Sequence, residues 1–139
     1  MSLLAVNSYE DLIFLKQTFH ETYWELREAG SYRDALIILC HERMPVVICQ
    51  CSLPDGNWKD VLSQTAILPD APRLIVTAPE PDDRLWAEVL NMGGYDVLAT
   101  PFDRNELIRA VSSAWRSWET EWSRVTQRWV KPKVFAQVA

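Results

Sequence analysis

The side chains able to do chemistry in this 139-residue chain are few and scattered. Cysteines stand at Cys40, Cys49 and Cys51, and histidines at His20 and His41. Cys49 and Cys51 lie two apart, so on an extended strand both point to one face. A structural zinc site needs four such ligands at short fixed spacings, and neither histidine supplies one. Free thiols packed as small apolar groups are therefore expected, and no metal. No nucleophile–base pair, dinucleotide fingerprint or phosphate-cradling glycine loop is visible, so neither an enzyme nor a cofactor is expected. Any further site must be sought among residues that the elements of the chain bring together.

The elements that must position them follow from hydrophobic periodicity. The apolar run Leu3-Leu4-Ala5-Val6 stops at Asn7-Ser8, and Ser8 with Asp11 resembles a capping box for a helix carrying Leu12, Ile13, Leu15 and Phe19. A second strand is expected over Trp24–Ala29, then Gly30 and a helix capped by Ser31 with Ala35, Leu36, Ile38 and Leu39. The nearly continuous apolar run Val46–Gln50 has the pattern of a strand covered on both faces. Leu53-Pro54-Asp55-Gly56 has turn chemistry, and Asn57 caps a helix with Trp58, Val61 and Leu62. A fourth strand over Arg73–Thr77 leads through Pro79 and Pro81 to a helix starting at Asp82. Gly93-Gly94 ends that helix, Tyr95–Leu98 forms a fifth strand, and Asp103 caps a last helix. Strands alternating with helices imply an α/β, doubly wound, five-stranded parallel sheet with right-handed crossovers.

Composition agrees with one soluble domain: 48% hydrophobic residues supply a core, and 24% are charged. The formal net charge of −5 argues against direct nucleic-acid binding, which depends on clustered Lys and Arg. No basic n-region or apolar stretch of signal-peptide type opens the chain, and no run approaches the roughly 20 apolar residues of a membrane span. With an odd number of cysteines, the expected location is the reducing cytoplasm, away from any membrane.

Several details together resemble one family, the receiver domains of bacterial response regulators (CheY-like). Leu53-Pro54-Asp55-Gly56 is similar to the loop after the phospho-acceptor. Thr77 resembles the hydroxyl position that ends the fourth strand. Gly93-Gly94-Tyr95-Asp96-Val97-Leu98 followed by Thr100-Pro101-Phe102 resembles the family's glycine, fifth strand and Lys-Pro-Phe ending. The resemblance covers Leu3 to Trp118 and implies a flavodoxin-like sheet of strand order 2-1-3-4-5. It also implies a phosphorylation site: an acidic pair for Mg²⁺ after the first strand, an Asp nucleophile ending the third, a Thr or Ser, and a Lys before a cis proline. This sequence departs from that set at every position but one. Asn7-Ser8 replaces the acidic pair, Gln50 the acceptor, Thr100 the lysine, and Val97 the aromatic switch residue; Thr77 alone keeps its type. An amide forms no acyl phosphate, and Asn7 with Ser8 offers no charge to a divalent cation. The remaining cluster has two readings. Its members hydrogen-bond to one another and fix one conformation without the repulsion of clustered carboxylates, or they line a small-molecule pocket at the switch-point crevice.

The end of the chain carries a second signal. Ile108, Val111, Trp115, Trp118, Trp122, Val125 and Trp129 recur at spacings of three and four, a heptad seam on one helix face. The first three are expected in the core. Trp118, Trp122, Val125 and Trp129 are candidate interface residues on a helix that overruns the domain, because large aromatics favour interfaces. Receivers often dimerise through the neighbouring face, so a homodimer through this helix is the leading expectation. A break near Ser117 that folds the end back is the alternative. Pro132 is expected to stop the helix. The domain division is then 1–118 receiver-like, 119–130 helix extension and 131–139 tail.

The expected function is a non-catalytic, phosphorylation-independent signalling module of two-component type. Its partners would be proteins, such as a histidine kinase, another regulator or a second copy. The alternatives are a ligand-sensing pseudo-receiver and a phospho-acceptor displaced to Asp55.

Overall fold

The computed structural model describes residues 1–138, with side chains through Thr126. Five parallel strands form one sheet: β1 Ser2–Val6, β2 Glu25–Ala29, β3 Val46–Gln50, β6 Arg73–Ala78 and β7 Asp96–Ala99. Their order is β2-β1-β3-β6-β7, which is the expected 2-1-3-4-5 winding once sheet strands alone are counted. Sequence reading passed over the hairpin between β3 and the helix capped by Asn57, where β4 Ser52–Leu53 pairs antiparallel with β5 Gly56–Asn57 around Pro54-Asp55. Two residues per strand leave no alternation to detect.

Alternation along the buried strands splits the core into two layers. Leu4, Val6, Val47, Cys49, Leu74 and Val76 face α2 (Tyr32–His41), α3 (Trp58–Thr65) and α4 (Asp83–Asn91), meeting Ala35, Trp58, Val61, Leu62 and Val89. Leu3, Ala5, Val46, Ile48, Ile75 and Leu98 face α1 (Tyr9–Phe19) and α5 (Arg104–Val138), meeting Leu12, Leu15, Phe19, Leu107, Val111 and Ala114.

The helix starts follow their caps. The side chains of Ser8, Ser31, Asn57 and Asp82 accept from the backbone N–H groups of Asp11, Asp34, Asp60 and Leu85, and Asn57 with Asp60 completes a reciprocal capping box. Gly93, with φ of +100°, ends α4, a conformation other residues rarely adopt. A Cβ on the adjacent Gly94 would meet the Val89 carbonyl oxygen at 2.9 Å, so α4 can turn into β7 only with glycine there.

Helix α5 corrects two expectations. It passes Ser117 without a break; Ser117 Oγ instead accepts from Arg73 Nε (3.0 Å), which ties the helix to β6. It also continues through Pro132 to Val138. The proline removes one backbone donor, and the helical backbone runs on either side of the missing rung. At about 1.5 Å per residue, its 35 residues span roughly 50 Å. Among the described residues no helix is long and apolar enough to cross a membrane.

Candidate functional site

The carboxyl ends of β1, β3, β6 and β7 meet at one edge of the sheet, where the strand order reverses. Ser8, Gln50, Thr77 and Thr100 line a cavity of about 370 Å³ there, together with Asp11, Cys51, Ser52, Ala78 and Pro79. Asn7 lies beneath it, only 2% exposed. The structure thus gathers all five polar residues singled out in the sequence. It adds Asp11, whose position suggested only a cap, and Cys51 and Ser52, brought in by the turn after β3.

The cluster is held by its own hydrogen bonds. Asn7 Nδ2 donates to Thr77 Oγ1 (3.1 Å), which joins β1 to β6 across β3. Gln50 Oε1 accepts from the Ser8 backbone N–H (2.8 Å), while Gln50 Nε2 donates to the Ser52 carbonyl (2.7 Å). One amide therefore ties the start of α1 to the turn after β3. A carboxylate could accept the first bond but has no hydrogen for the second. Asn7 Oδ1 is buried without a hydrogen-bond partner among the described residues. Thr100 precedes a cis peptide bond to Pro101, and its own N–H donates to the Ala78 carbonyl (2.9 Å). Val97, at the aromatic position of the resemblance, is buried in the α2–α3–α4 layer.

The Mg²⁺ ion associated with such crevices does not fit these residues. Hard cations need oxygen ligands, mostly carboxylates. Among the described residues Asp11 is the sole carboxylate lining the cavity, while the Gln50 oxygen and the Asn7 amide nitrogen already have partners.

Asp55 is employed elsewhere. Its carboxylate accepts from the backbone N–H groups of Tyr32 (2.7 Å) and Arg33 (3.0 Å) at the start of α2. Those bonds, the Arg33 N–H first and the Tyr32 N–H second, hold its carboxyl below the usual range. Burial, and secondarily the neighbouring Cys51, pushes the Cys49 thiol up to about 12. The Cys51 thiol is also raised, by burial and then by the Glu88 charge, with Lys59 opposing.

At the opposite pole the structure revises the tryptophan seam. Trp118 is 7% exposed, and its Nε1 donates to the Asp70 carbonyl (3.1 Å). Its own chain covers it, so it offers little to a partner. Trp122 stacks on Trp118 (centroids 6.1 Å apart) and lies under the Arg43 guanidinium at 4.4 Å. Arg43 Nε in turn pairs with Asp70 at 2.8 Å. The loops before β3 and β6 therefore reach Trp122, which a straight helix had been expected to carry clear of the body. Arg43 and Asp70 had no sequence signal, because they lie 27 residues apart and meet only through the fold. Val125 is half-buried, and the Trp129 side chain lies outside the described residues. Trp115 meets Trp24 edge-on at 6.4 Å.

No family model and no curated protein sequence matches the chain. Solved structures do. The signal receiver domain of an HD domain-containing protein from Pseudomonas fluorescens Pf-5 is 26% identical, with a TM-score of 0.79 over 88% of this chain and 91% of that one. A CheY-like response regulator receiver domain protein from Methanospirillum hungatei JF-1 is 17% identical, with a TM-score of 0.75 over 86% and 96%. The receiver domain of a signal transduction histidine kinase from Syntrophus aciditrophicus is 20% identical, with a TM-score of 0.72 over 84% and 90%. The fold is that of the response-regulator receiver domains, with a long helix added at its end.

Proposed function

We propose that this chain is a non-catalytic signalling module that uses the receiver fold without phosphorylation and acts by contact with other proteins. The observation that carries this reading is the Gln50 amide, bonded at both ends to backbone where a receiver would place its acceptor carboxylate. The acceptor role needs a free carboxylate, a metal and a cation beside the transferring group. Here those positions hold Gln50, Asn7 with Ser8, and Thr100. The crevice then has one stable arrangement, and the surfaces it supports are presented constantly. Receiver domains in general contact histidine kinases and other regulators, and such a protein is the proposed partner, with a second copy binding along α5. The site of action would be the cytoplasm.

Intact-mass measurement after incubation with acetyl phosphate and Mg²⁺ tests the first part. No phosphoryl adduct should form; a stable adduct on any carboxylate overturns the reading. Light scattering on the wild type and on Trp122→Ala with Trp129→Ala tests the second. The wild type should be a dimer and the double variant a folded monomer, whereas a monomeric wild type removes self-association.

One observation favours a second reading, in which the crevice senses a small molecule. The unpartnered Asn7 Oδ1 is a buried acceptor beneath a cavity of about 370 Å³. A hydrogen-bond-donating metabolite that occupied it would raise the melting temperature in proportion to its saturation.

A further inference from the structure

We propose that the groove between the start of β6, Tyr95 and one polar face of α5 binds a small oligophosphate, gripped by Arg73, Arg116 and Arg124.

The groove has a volume of about 450 Å³ and lies at the amino ends of β6 and β7, the pole opposite the polar crevice. Its α5 side is a single helix face. Ser113, Ser117, Thr120 and Arg124 recur there at spacings of four, three and four, with Arg116 beside Ser117. This face is distinct from the one that carries Val111, Ala114 and Trp118 into the body.

In a chain of formal net charge −5, three guanidiniums converge here against one carboxylate, that of Glu121. Arg73 is half-buried. Its Nε donates to Ser117 Oγ (3.0 Å) and its Nη2 to the Ser117 carbonyl (3.4 Å). Among the described residues neither Arg73 nor Arg116 has a carboxylate within ion-pair distance. A partly buried guanidinium held on one side by neutral oxygens lacks a counter-charge, and an anion in the groove supplies it.

The neutral groups add donors. Ser117 Oγ accepts from Arg73, so its own hydrogen remains to donate. Tyr95 Oη and Ser113 Oγ share one hydrogen bond at 2.6 Å, which uses one of their hydrogens and leaves the other. Thr120 donates to the Arg116 carbonyl (2.9 Å) and supplies none. Glu121 opposes an anion; it approaches Arg124 at 3.8 Å, with both side chains more than half exposed.

Spacing selects the ligand. Arg116 and Arg124 stand eight residues apart, about 12 Å along the helix, and Arg73 reaches the groove from β6. A row of cations suits linked phosphates better than one compact orthophosphate, and guanidinium forks match phosphoryl oxygens. The acidic balance of the chain disfavours a nucleic-acid backbone as their source.

The test is isothermal titration of the full chain in magnesium-free buffer with inorganic pyrophosphate, orthophosphate, citrate and a DNA duplex in turn. Pyrophosphate should bind one per chain and more tightly than the other three. Arg116→Gln and Arg124→Gln, both at exposed positions, should each weaken it roughly tenfold, and Glu121→Gln should tighten it. Circular dichroism of the three variants should match the wild type. A wild type that binds no pyrophosphate, equal affinity for orthophosphate or citrate, tighter binding of DNA, or unchanged affinity in both arginine variants overturns the assignment. Each of those outcomes leaves the reading of the crevice standing, because Asn7 and Gln50 lie at the other end of the sheet.

Discussion

Gln50 shows how one side chain can settle the use of a fold. Its amide donates and accepts at once, so it spans the Ser8 N–H and the Ser52 carbonyl. Gln50→Glu keeps the shape but sets an anionic oxygen against the Ser52 carbonyl. It should cost about 1–3 kcal/mol in urea unfolding, the penalty of a polar group left without its partner. Asp55 works with the opposite chemistry, as a carboxylate that only accepts. Its pKa is lowered from 3.8, so its stabilising contribution is complete above that pH and is lost as pH falls through the lower native value. Asp55→Asn should therefore flatten the acid limb of the stability profile measured by denaturant midpoint. Cys49 has the reverse sign: with a native value of about 12, it stabilises fully below the ordinary 9.0 and loses that contribution as pH rises toward 12. In native protein at pH 8, a thiol reagent should label Cys40, which is exposed, and leave Cys49 untouched.

Among the elements, α5 has two parts with different duties. Through Trp118 it is a core helix, with Leu107, Val111 and Ala114 fully buried against the sheet. Beyond Trp118 it is an arm whose base is held by Arg43 and Asp70. Trp118 joins the two parts, and Trp118→Ala should destabilise the fold by about 3–5 kcal/mol in chemical denaturation, since it empties a large buried volume. Trp118→Phe retains most of that packing and loses the bond to the Asp70 carbonyl, so it should cost only about 1 kcal/mol. A similar cost for the two variants would mean that the hydrogen bond, not the packing, holds the base of the arm.

At the scale of the whole molecule, body and arm differ in charge. Residues 1–118 carry 17 acidic and 10 basic side chains, and residues 119–139 carry two and four. Among the described residues neither core layer includes one from the arm. A chain ending at Thr126 should thus melt within a few degrees of the full chain while showing the mass of a monomer. A large drop in melting temperature would mean that the arm packs on its own body.

The sequence by itself determined what local pattern and chemistry determine. The caps at Ser8, Ser31 and Asn57, the strand at Val46–Gln50 and the helix end at Gly93-Gly94 need no distant residue to be recognised, because each is a short-range fit of backbone to side chain. The polar set Asn7, Ser8, Gln50, Thr77 and Thr100 was legible by comparison with a known pattern, and the crossovers of the sheet brought it together. The tertiary structure alone decided which hydrogen bonds that set makes, that Asp55 caps α2, and that Arg43 and Asp70 draw Trp118 and Trp122 onto the body. All of these but the Gln50–Ser52 bond depend on the docking of segments distant in the chain, and hydrophobic periodicity carries information about which face of an element is buried but none about which loop arrives at its end.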